Sequence, residues 1–470
     1  MHKKDNNLIP IYHSVEEVFD KLRPAYNKTF SHFDVNNRLE NTKNKGRLGQ
    51  IVEEGILGYP INSDPKADLA NLGIEIKTTG VIAKKNGVVI AKERLAIDSI
   101  NYKKIVDFSF EQSPVWEKTN SILFVFYKYI AGEEYGNMPI IKAALNSFSD
   151  EDKKILKRDY ETIIGKIMAG KAEEISEGDT MYLGACTAGE GKGKLVEQPF
   201  SNVGAKPRKF CLKQPYFSEL IRKYISPKEF EHAADPSIIE SLGFEMAIES
   251  KLNQYKGLAE EQIRNQFSIT ASENAKNRYE RYAAAMLGIK GAISETEEFR
   301  KAGIEVKTIR IQKNKKIKES MSFPYFDFNE LVTQDWETSE LREMFTTKKF
   351  MFVVFKEYDD GMHFEKIKFW HMSEQDLDNI VRPVFEKTKE ILLNGSIVNK
   401  LTRNKKGKIV RKTNFPGMSE NEMVHVRPHG QNADDVCELP VPDKLTGATE
   451  YTKQCFWLNN SFVLKIINSD

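Results

Sequence analysis

An internal repeat constrains the fold of this chain more than any other feature of its sequence. Residues 68–78, Asp-Leu-Ala-Asn-Leu-Gly-Ile-Glu-Ile-Lys-Thr, align without a gap with residues 298–308, Glu-Phe-Arg-Lys-Ala-Gly-Ile-Glu-Val-Lys-Thr, at an offset of 230 residues. The dipeptides Leu57-Gly58 and Leu287-Gly288 keep the same offset. Self-similarity over such a distance indicates that one structural unit occurs twice in the chain.

Three further pairs of segments follow in the same order along the two halves. The pairs are Trp116-Glu117 with Trp336-Glu337, residues 124–128 with residues 352–356, and residues 210–213 with residues 456–459. Two short strands can resemble each other by chance, but chance would not place five anchors in one order. We therefore predict two diverged copies, residues 1–230 and residues 235–470, with a boundary in the proline-flanked stretch 226–234.

Composition excludes several classes of protein. The chain has 470 residues, enough for two or three domains, and 40% of them are hydrophobic, as in a folded globular protein. Lys and Arg number 70 against 68 Asp and Glu, so only local charge can indicate a nucleic-acid partner. None of the four cysteines forms a CxxC pair, which excludes a zinc ribbon and a disulfide scaffold. The start of the chain lacks the apolar segment of a secretory signal, and no apolar run could cross a bilayer, so we expect a cytoplasmic protein.

The order of elements in the first copy predicts a mixed sheet flanked by helices, in the α/β or α+β class. Apolar residues at helical spacing predict a helix over 48–55, and we expect Gly46 and Gly49 on its early turns to allow close backbone approach. Further elements, in chain order, are a strand at 73–78, a type I′ hairpin turn at 85–88, a buried strand at 122–127 and a helix near 160–169.

The predicted strand 73–78 carries two charged side chains among apolar ones. Because side chains alternate between the two faces of a strand, we expect Glu75 and Lys77 to share one face while the isoleucines beside them enter the core. Asp68 lies at the end of the preceding loop, and Glu53 lies on the upstream helix. Three carboxylates at one place repel each other, and Mg²⁺, which prefers oxygen ligands, would remove that conflict. Lys77 could then orient a water molecule and offset charge on a phosphorus centre.

A Glu-x-Lys motif alone has little value, because it recurs at residues that we interpret as solvated surface charges. The larger pattern is Lys45-Gly46-x-x-Gly49-Gln50-x-x-Glu53 followed by Asp68-x4-Gly73-x-Glu75-x-Lys77-Thr78. This pattern resembles the MutH family, which includes the mismatch-repair nicking enzyme and type II restriction endonucleases that cut at GATC. The resemblance implies two tandem PD-(D/E)xK domains with a mixed β-sheet flanked by helices. It also implies that Asp68, Glu75 and Glu53 hold Mg²⁺ and that Lys77 is the catalytic lysine.

The offset of 230 predicts that the second copy has lost this site. Glu53 corresponds to Ala283, Asp68 to the longer Glu298, Glu75 to Glu305 and Lys77 to Lys307. Gly46 and Gly49 become lysine and tyrosine. A metal site without one acidic member and without its glycines should bind metal poorly. We therefore expect the second copy to bind DNA without cutting it, as a specificity or effector module.

Basic residues in both copies are candidates for contact with DNA, although charge runs are often only solvated faces. In the first copy they are Lys45, Lys84, Lys85, Lys192, Lys194 and Lys213. In the second copy they are Lys315, Lys316, Arg403, Lys405, Lys406 and Arg427. The first five lie in the basic stretches 310–318 and 400–412, and Arg427 lies in a segment, 426–428, that resembles a DNA-contacting loop of MutH. His425 and His429 flank Arg427, and we expect them on a loop that faces solvent or DNA.

Residues 210–213 resemble a late strand that carries a tyrosine sensing adenine methylation in MutH. Cys211 takes the place of that tyrosine, either as a small core residue or as part of a looser pocket that tolerates a methylated adenine.

These features and the resemblance predict a Mg²⁺-dependent type II restriction endonuclease that cuts double-stranded DNA and leaves 5′-phosphate ends. Cutting at GATC is implied by the resemblance alone. One site per chain requires self-association on DNA or two sequential nicks, and a DNA methyltransferase is the expected functional partner. Two alternatives stay open, a MutH-type repair nickase that needs an activating partner and a DNA-binding protein without catalysis.

Overall fold

The structure is a computed structural model that describes residues 10–61, 67–84, 87–188, 194–270, 275, 277–403, 407 and 409–469. Its internal contacts divide the chain into two compact units. Unit 1 comprises Met1–Phe230 with Arg300–Gly303, and unit 2 comprises Glu231–Phe299 with Ile304–Asp470. None of the described helices is both long enough and apolar enough to cross a membrane.

Up to residue 230, the described part of the chain forms six α-helices and nine strands. The helices are α1 (Val15–Leu22), α2 (Arg47–Ile51), α3 (Tyr102–Ile105), α4 (Pro114–Thr119), α5 (Asp150–Met168) and α6 (Gln214–Ile225). The strands are β1 (Glu75–Ala83), β2 (Val89–Ala91), β3 (Leu95–Ser99), β4 (Ile122–Lys128), β5 (Ile140–Asn146), β6 (Leu183–Thr187), β7 (Val196–Gln198), β8 (Ser201–Ala205) and β9 (Arg208–Leu212).

The central sheet of unit 1 has the strand order β2-β1-β4-β5. Strands β1 and β4 are parallel, and the other two pairs are antiparallel. Alternate residues of β4 enter two separate hydrophobic cores: Ile122, Phe124 and Phe126 on one face, and Leu123, Val125 and Tyr127 on the other. A strand buried on both faces explains the continuous apolar run, so the prediction of a buried strand at 122–127 is confirmed.

The other predicted elements of the first copy are also present. Strand β1 continues into an antiparallel partner, with Val81 opposite Ala91, although turn residues 85 and 86 lie outside the described residues. The helix predicted near 160–169 is the end of α5, which begins earlier, at a cap where the Ser149 hydroxyl accepts from the Asp152 N–H. A second sheet of unit 1 has the antiparallel order β3-β9-β6.

From residue 231 onward, the described part of the chain forms ten α-helices and ten strands. The helices are α7 (Pro236–Leu242), α8 (Phe244–Asn253), α9 (Glu260–Gln266), α10 (Arg278–Met286), α11 (Glu297–Ala302), α12 (Phe328–Thr333), α13 (Glu340–Thr347), α14 (Glu374–Asp376), α15 (Arg382–Leu393) and α16 (Asn460–Asn468). The strands are β10 (Ile304–Ile311), β11 (Met321–Phe326), β12 (Lys349–Tyr358), β13 (Gly361–Trp370), β14 (Val398–Arg403), β15 (Ile409–Thr413), β16 (Val424–Pro428), β17 (Val436–Glu438), β18 (Glu450–Thr452) and β19 (Gln454–Leu458).

Strand register confirms the duplication. In unit 1, Lys77 lies opposite Phe124, and in unit 2, Lys307 lies opposite Phe352, so two of the predicted anchors meet in the same way in both copies. The second sheets also correspond, with the orders β3-β9-β6 and β11-β19-β16. Leu212 pairs with Leu95 and Leu183 in unit 1, and Leu458 pairs with Met321 and Val424 in unit 2.

The tryptophan anchor of the predicted repeat is wrong. Each unit has a buried serine whose hydroxyl donates to the preceding 3₁₀ turn and caps the following helix, Ser113 before α4 and Ser339 before α13. Trp336 lies in the turn before its serine, where unit 1 has Phe110, whereas Trp116 lies after its serine, inside α4. The two Trp-Glu dipeptides are therefore not structurally equivalent, and the shared feature is the serine cap.

Candidate active site

Glu53 lies on a π-helical turn, Val52–Ile56, that continues directly from α2. Such wide turns are rare and often occur at functional sites. The neighbouring carboxylate, Glu54, is occupied by Arg38, whose Nε and Nη2 atoms donate to it at 2.8 and 2.7 Å. The sequence predicted an ordinary helix here and did not indicate the π turn.

Close backbone approach requires a glycine at Gly55, and not at Gly46 or Gly49 as predicted. A Cβ atom on Gly55 would lie 1.9 Å from the carbonyl oxygen of Phe33, which no side chain could accept. Cβ atoms on Gly46 and Gly49 would meet only side-chain oxygens, at 3.5 and 3.8 Å. The oxygen near Gly49 belongs to Glu53, so the absent side chain leaves open space beside that carboxylate.

Asp68 is tied to the strand that carries the other two site residues. Its Oδ2 atom accepts a hydrogen bond of 2.8 Å from the backbone N–H of Ile76. The segment between them closes through a bridge between Leu69 and Ile74, with Gly73 at a φ of +65°. A left-handed residue is needed to reverse the chain in so few residues, which explains the glycine before the Glu-x-Lys motif.

Glu75 and Lys77 share one face of β1, as predicted. The Nζ atom of Lys77 lies 2.6 Å from Oε1 of Glu75. Ile74 and Ile76 are buried in the core on the opposite face. Glu75 is itself buried, with 6% of its surface exposed, so its charge is held largely out of water beside the ammonium group.

The carboxylates lie close enough to affect each other's ionisation. Burial, followed by the charges of Asp68 and Glu75, raises the pKa of Glu53 to about 7, although Lys77 opposes this shift. Burial and the charge of Glu75 also raise the pKa of Asp68, against the hydrogen bond from Ile76 and the charges of Lys77 and Lys118. Lys118, which donates to Asp98 at 3.0 Å, was not predicted from the sequence.

The arrangement fits a divalent cation bound by few protein ligands. Among the described residues, no three His, Cys, Asp or Glu side chains form a ready-made ligand group. Mg²⁺ commonly keeps several waters and needs only one or two carboxylates, so a complete protein cage is not required. Burial is the larger cause of the raised pKa values of Glu53 and Asp68, and the second cause, the charge of neighbouring carboxylates, is one that such a cation would relieve.

The equivalent place in unit 2 has the opposite electrostatics. Glu305 binds two ammonium groups, those of Lys307 and Lys348, each at 2.6 Å. Although burial opposes the change, these hydrogen bonds lower the pKa of Glu305. Lys348 lies just before β12 and outside the repeated segments, so the repeat does not indicate it.

The other positions of the second site have become structural. Glu298 is buried and accepts from the backbone N–H of Ala233 at 2.9 Å, with the Nδ1 atom of His232 at 2.8 Å. Ala283 is buried on α10, which is a regular helix where unit 1 has its π turn. One carboxylate that the sequence comparison missed, Glu280, has a pKa raised by burial, with the charge of Lys307 opposing the shift.

Comparisons with known proteins indicate the family of the chain. The chain is 34% identical to the type II restriction enzyme Sau3AI of Staphylococcus aureus over 485 aligned positions, which cover 97% of this chain and 98% of that protein. The family model described as DNA mismatch repair enzyme MutH matches residues 57–159 and 287–382. The chain belongs to the MutH family.

Two MutH proteins of this family match a smaller part of the chain. The DNA mismatch repair protein MutH of Haemophilus ducreyi is 23% identical over 195 residues, which cover 40% of this chain and 82% of that protein. The protein from Vibrio campbellii is 27% identical over 197 residues, 39% of this chain and 81% of that protein. The two segments that match the MutH model begin at Leu57 and Leu287, at the predicted offset of 230.

Most of the residues predicted to contact DNA lie on the surface of their units. The exposed ones are Lys45, Lys84, Lys194, Lys315, Lys316, Arg403 and Arg427. Four others, Lys85, Lys192, Lys405 and Lys406, lie outside the described residues. Surface position is necessary for phosphate contact but does not establish it.

Lys213 does not fit the prediction of a DNA contact. Its side chain is buried, with 1% exposed, and its Nζ atom donates to the backbone carbonyls of Glu177 and Thr180, each at 2.8 Å. An ammonium group held in this way cannot reach a phosphate. Lys213 is therefore a structural residue, and the prediction is wrong because the sequence does not reveal the two carbonyls that bind it.

Arg427 lies on the end of strand β16, not on a loop as predicted. Its guanidinium group stacks over the ring of Trp457, 4.0 Å from the centroid. His425, on the same strand, is buried and has its Nδ1 atom 2.6 Å from Oδ1 of Asn459, so it cannot face DNA as predicted. An exposed arginine held on an aromatic ring is a suitable contact for a nucleic acid.

Cys211 is completely buried, and strand register pairs it with Gly184, while Trp457 pairs with His425 in unit 2. This position favours the interpretation of Cys211 as a small core residue. Its side chain does not reach the surface, so it cannot contact an adenine directly.

Proposed function

We propose that this chain is a type II restriction endonuclease that hydrolyses phosphodiester bonds in double-stranded DNA, with its active site in unit 1. The observation that carries the proposal is the partly buried group of Glu53, Asp68, Glu75 and Lys77, in which carboxylate charges conflict. The similarity to Sau3AI extends over both copies, whereas the MutH repair proteins match about one copy. This difference favours a restriction enzyme over a repair nickase.

Nucleases of this family generally depend on a divalent metal ion, and we propose Mg²⁺ for this chain. Asp68 and Glu75 would hold the ion, with Glu53 as a further acidic member. When bound, it would polarise a phosphodiester and acidify a coordinated water.

The side chains themselves have separate tasks in the proposed reaction. Lys77, held against Glu75, would orient the attacking water and offset negative charge as the phosphorus becomes five-coordinate. Glu53, which lies beside Asp68 and Glu75, would add negative charge for the ion and could accept a hydrogen bond from a coordinated water. In-line attack of water on phosphorus would expel the 3′-oxygen and leave 5′-phosphate ends.

Unit 2 is proposed to bind DNA without cutting it. Its Glu305 is paired with two lysines, whereas Glu75 of unit 1 is paired with one, so less negative charge is left there for a metal ion. Exposed cations such as Arg427, Lys315 and Lys316 remain available for phosphates. This unit would then act as an effector or specificity module for the site in unit 1.

Three finer points of the proposal rest on the family. We propose that the recognition sequence is GATC, that one active site per chain requires self-association on DNA or two successive nicks, and that a DNA methyltransferase protects the host sites. We also propose that the enzyme acts in the cytoplasm, which contains its DNA substrate.

The decisive experiment is a digest of mapped plasmid DNA with Mg²⁺ by the full chain and by two matched variants. Lys77→Ala should reduce cleavage at least about hundredfold, whereas Lys307→Ala, which removes the equivalent lysine of unit 2, should leave unit 1 able to cut. DNA binding measured in EDTA should survive in both variants. Fragments from cuts at GATC would support the proposed recognition sequence.

Other outcomes would identify the alternatives. Single-strand nicks that appear only with an added repair protein would favour a MutH-type nickase. Binding without metal-dependent cleavage by the unchanged chain would favour a DNA-binding protein. Equal loss of cleavage in Lys77→Ala and Lys307→Ala would contradict the assignment of one active site.

A further inference from the structure

Compared with unit 1, unit 2 contains an insertion that has the length of one β-hairpin. Gly170 and Gly395 end equivalent helices, α5 and α15, and are 225 residues apart in number. Leu183 and Val424 hold equivalent positions in the second sheets and are 241 apart. The difference between 241 and 225 is 16 residues, which is the length of Val398–Thr413, the β14-β15 hairpin.

The hairpin stands apart from the sheets of its unit. In the described part of the chain, β14 and β15 pair only with each other. Its base is fastened by hydrogen bonds from the Asn414 N–H to the Ile397 carbonyl, at 2.9 Å, and from the Val398 N–H to Asp443, at 2.8 Å. The described residues beyond the base are almost all exposed, so the hairpin is a ribbon in contact with solvent on both faces.

Both faces of the ribbon carry positive charge. Lys400 lies directly opposite Lys412, so these two share one face. Arg403 and Arg411 share the other face, since their partners are Ile409 and Leu401. The sequence from 398 to 413 contains no acidic residue, and among the described residues none of these four cations forms an ion pair. Arg411 lies over the ring of Tyr451, 5.5 Å from its centroid, and Arg403 donates to the Gly407 carbonyl at 3.0 Å, so neither charge is cancelled.

Such a ribbon is poorly stabilised by its own interactions. Like charges opposite each other on a two-stranded ribbon are destabilising, and an isolated hairpin is marginal in water. Leu401, Ile409 and Val410 are exposed as well, at 47%, 57% and 40%. The charge would be balanced by an extended polyanion that meets both faces at once.

We propose that this ribbon enters the major groove of double-stranded DNA and contacts the phosphates on both sides of the groove. A two-stranded ribbon fits a groove about 12 Å wide, and phosphate walls on both sides match cations on both faces. A ribbon that lay on a single backbone would need cations on one face only. The contacts supply affinity and position without reading bases, and this inference rests on the proposed DNA-binding function of unit 2.

The test compares two quadruple variants of the full chain that lose the same charge. The ribbon variant carries Lys400→Ala, Arg403→Ala, Arg411→Ala and Lys412→Ala. The control variant removes four exposed cations elsewhere in unit 2 and carries Lys256→Ala, Arg281→Ala, Lys290→Ala and Lys465→Ala. A third variant replaces Val398–Thr413 by Gly-Gly, and thermal unfolding checks that each variant remains folded.

Affinity for a labelled duplex is measured in EDTA by fluorescence anisotropy over a range of KCl concentrations. Each phosphate contact contributes about −0.9 to the slope of log K against log salt, so the quadruple ribbon variant should lose about 2–4 units of slope. The deletion variant, which removes seven cations, should lose at least as much. We expect at least about tenfold weaker binding to duplex near 0.1 M salt, a smaller loss on single strands, and no change of slope in the control.

Unchanged duplex affinity and slope in both ribbon variants would overturn the inference, as would an equal loss in the control. Failure of the unchanged chain to bind DNA at all would instead overturn the proposed function. The two failures are therefore distinguishable, because cleavage and binding by the unchanged chain are measured in the same series.

Discussion

Replacing Glu53 by glutamine should stabilise the metal-free chain at alkaline pH and at the same time remove cleavage. The carboxyl group is partly buried beside Asp68 and Glu75, and this environment raises its pKa to about 7 from an ordinary value near 4.5. Ionised Glu53 is therefore unfavourable in the folded state, and glutamine keeps its shape without the charge.

The sign and size of the effect follow from proton linkage. Between pH 4.5 and 7, the folded chain holds a proton on Glu53 that the unfolded chain has lost, so stability falls as pH rises through this window and the full cost is present above pH 7. A shift of about 2.5 units corresponds to about 3.4 kcal/mol, and partial exposure to solvent reduces this to about 1–2 kcal/mol. For a unit of this size, that is a rise in Tm of about 2–8 °C.

Thermal unfolding of the full chain in EDTA at pH 8.5 and pH 4.5 measures this prediction. The rise in Tm caused by Glu53→Gln should be present at pH 8.5 and nearly absent at pH 4.5. Cleavage by this variant with Mg²⁺ should drop at least about hundredfold. Glu54→Gln is the matched control, since hydrogen bonding to Arg38 lowers the pKa of Glu54 and its loss should destabilise the chain at pH 8.5. An equal Tm change at both pH values, or a less stable Glu53→Gln variant at pH 8.5, would refute the reasoning.

Three further outcomes are expected. Ala283→Glu should not restore cleavage to a Lys77→Ala chain in a plasmid digest, because Glu305 is already neutralised by two lysines; any recovered cutting would contradict this. Lys213→Met should lower the free energy of unfolding by about 2 kcal/mol, because two buried carbonyls lose their donor, and should leave the salt dependence of DNA binding unchanged. Burial lowers the pKa of His425, so the unfolded chain binds a proton that the folded chain resists and stability should fall below about pH 6.5; His425→Gln should weaken that dependence in thermal melts at pH 5 and 7.5.

Much of the fold could be predicted because most of the repeated segments lie in strands. The anchors at residues 124 and 352 were found without knowledge of pairing, and they lie opposite Lys77 and Lys307 in the same register. Alternation also placed Glu75 and Lys77 on one face. These features depend on residues close in sequence or on strands buried on both faces, where side-chain pattern follows directly from position.

Two of the errors have a different physical origin, because they concern groups packed against distant backbone atoms. Lys213 follows a strand and resembles a surface lysine, yet two carbonyls from a separate turn bind its ammonium group. The π turn at Val52–Ile56 has an ordinary helical pattern, and Gly55 is its sole local sign, since the equivalent residue of the regular helix α10 is Ala285. Propensity and spacing carry no information about such long-range partners.

The two copies also show why a short motif cannot define a metal site. Both strands present Glu-x-Lys with the same 2.6 Å pair, so the motif and its geometry are equal in Glu75-Lys77 and Glu305-Lys307. The neighbours differ, since unit 1 adds carboxylates whose pKa values rise, whereas unit 2 adds Lys348 and the pKa of its glutamate falls. A cation is attracted by a surplus of negative charge, which a short sequence motif does not define. The proposed loss of the site in the second copy therefore requires changes only around the motif, and Glu305 and Lys307 can remain.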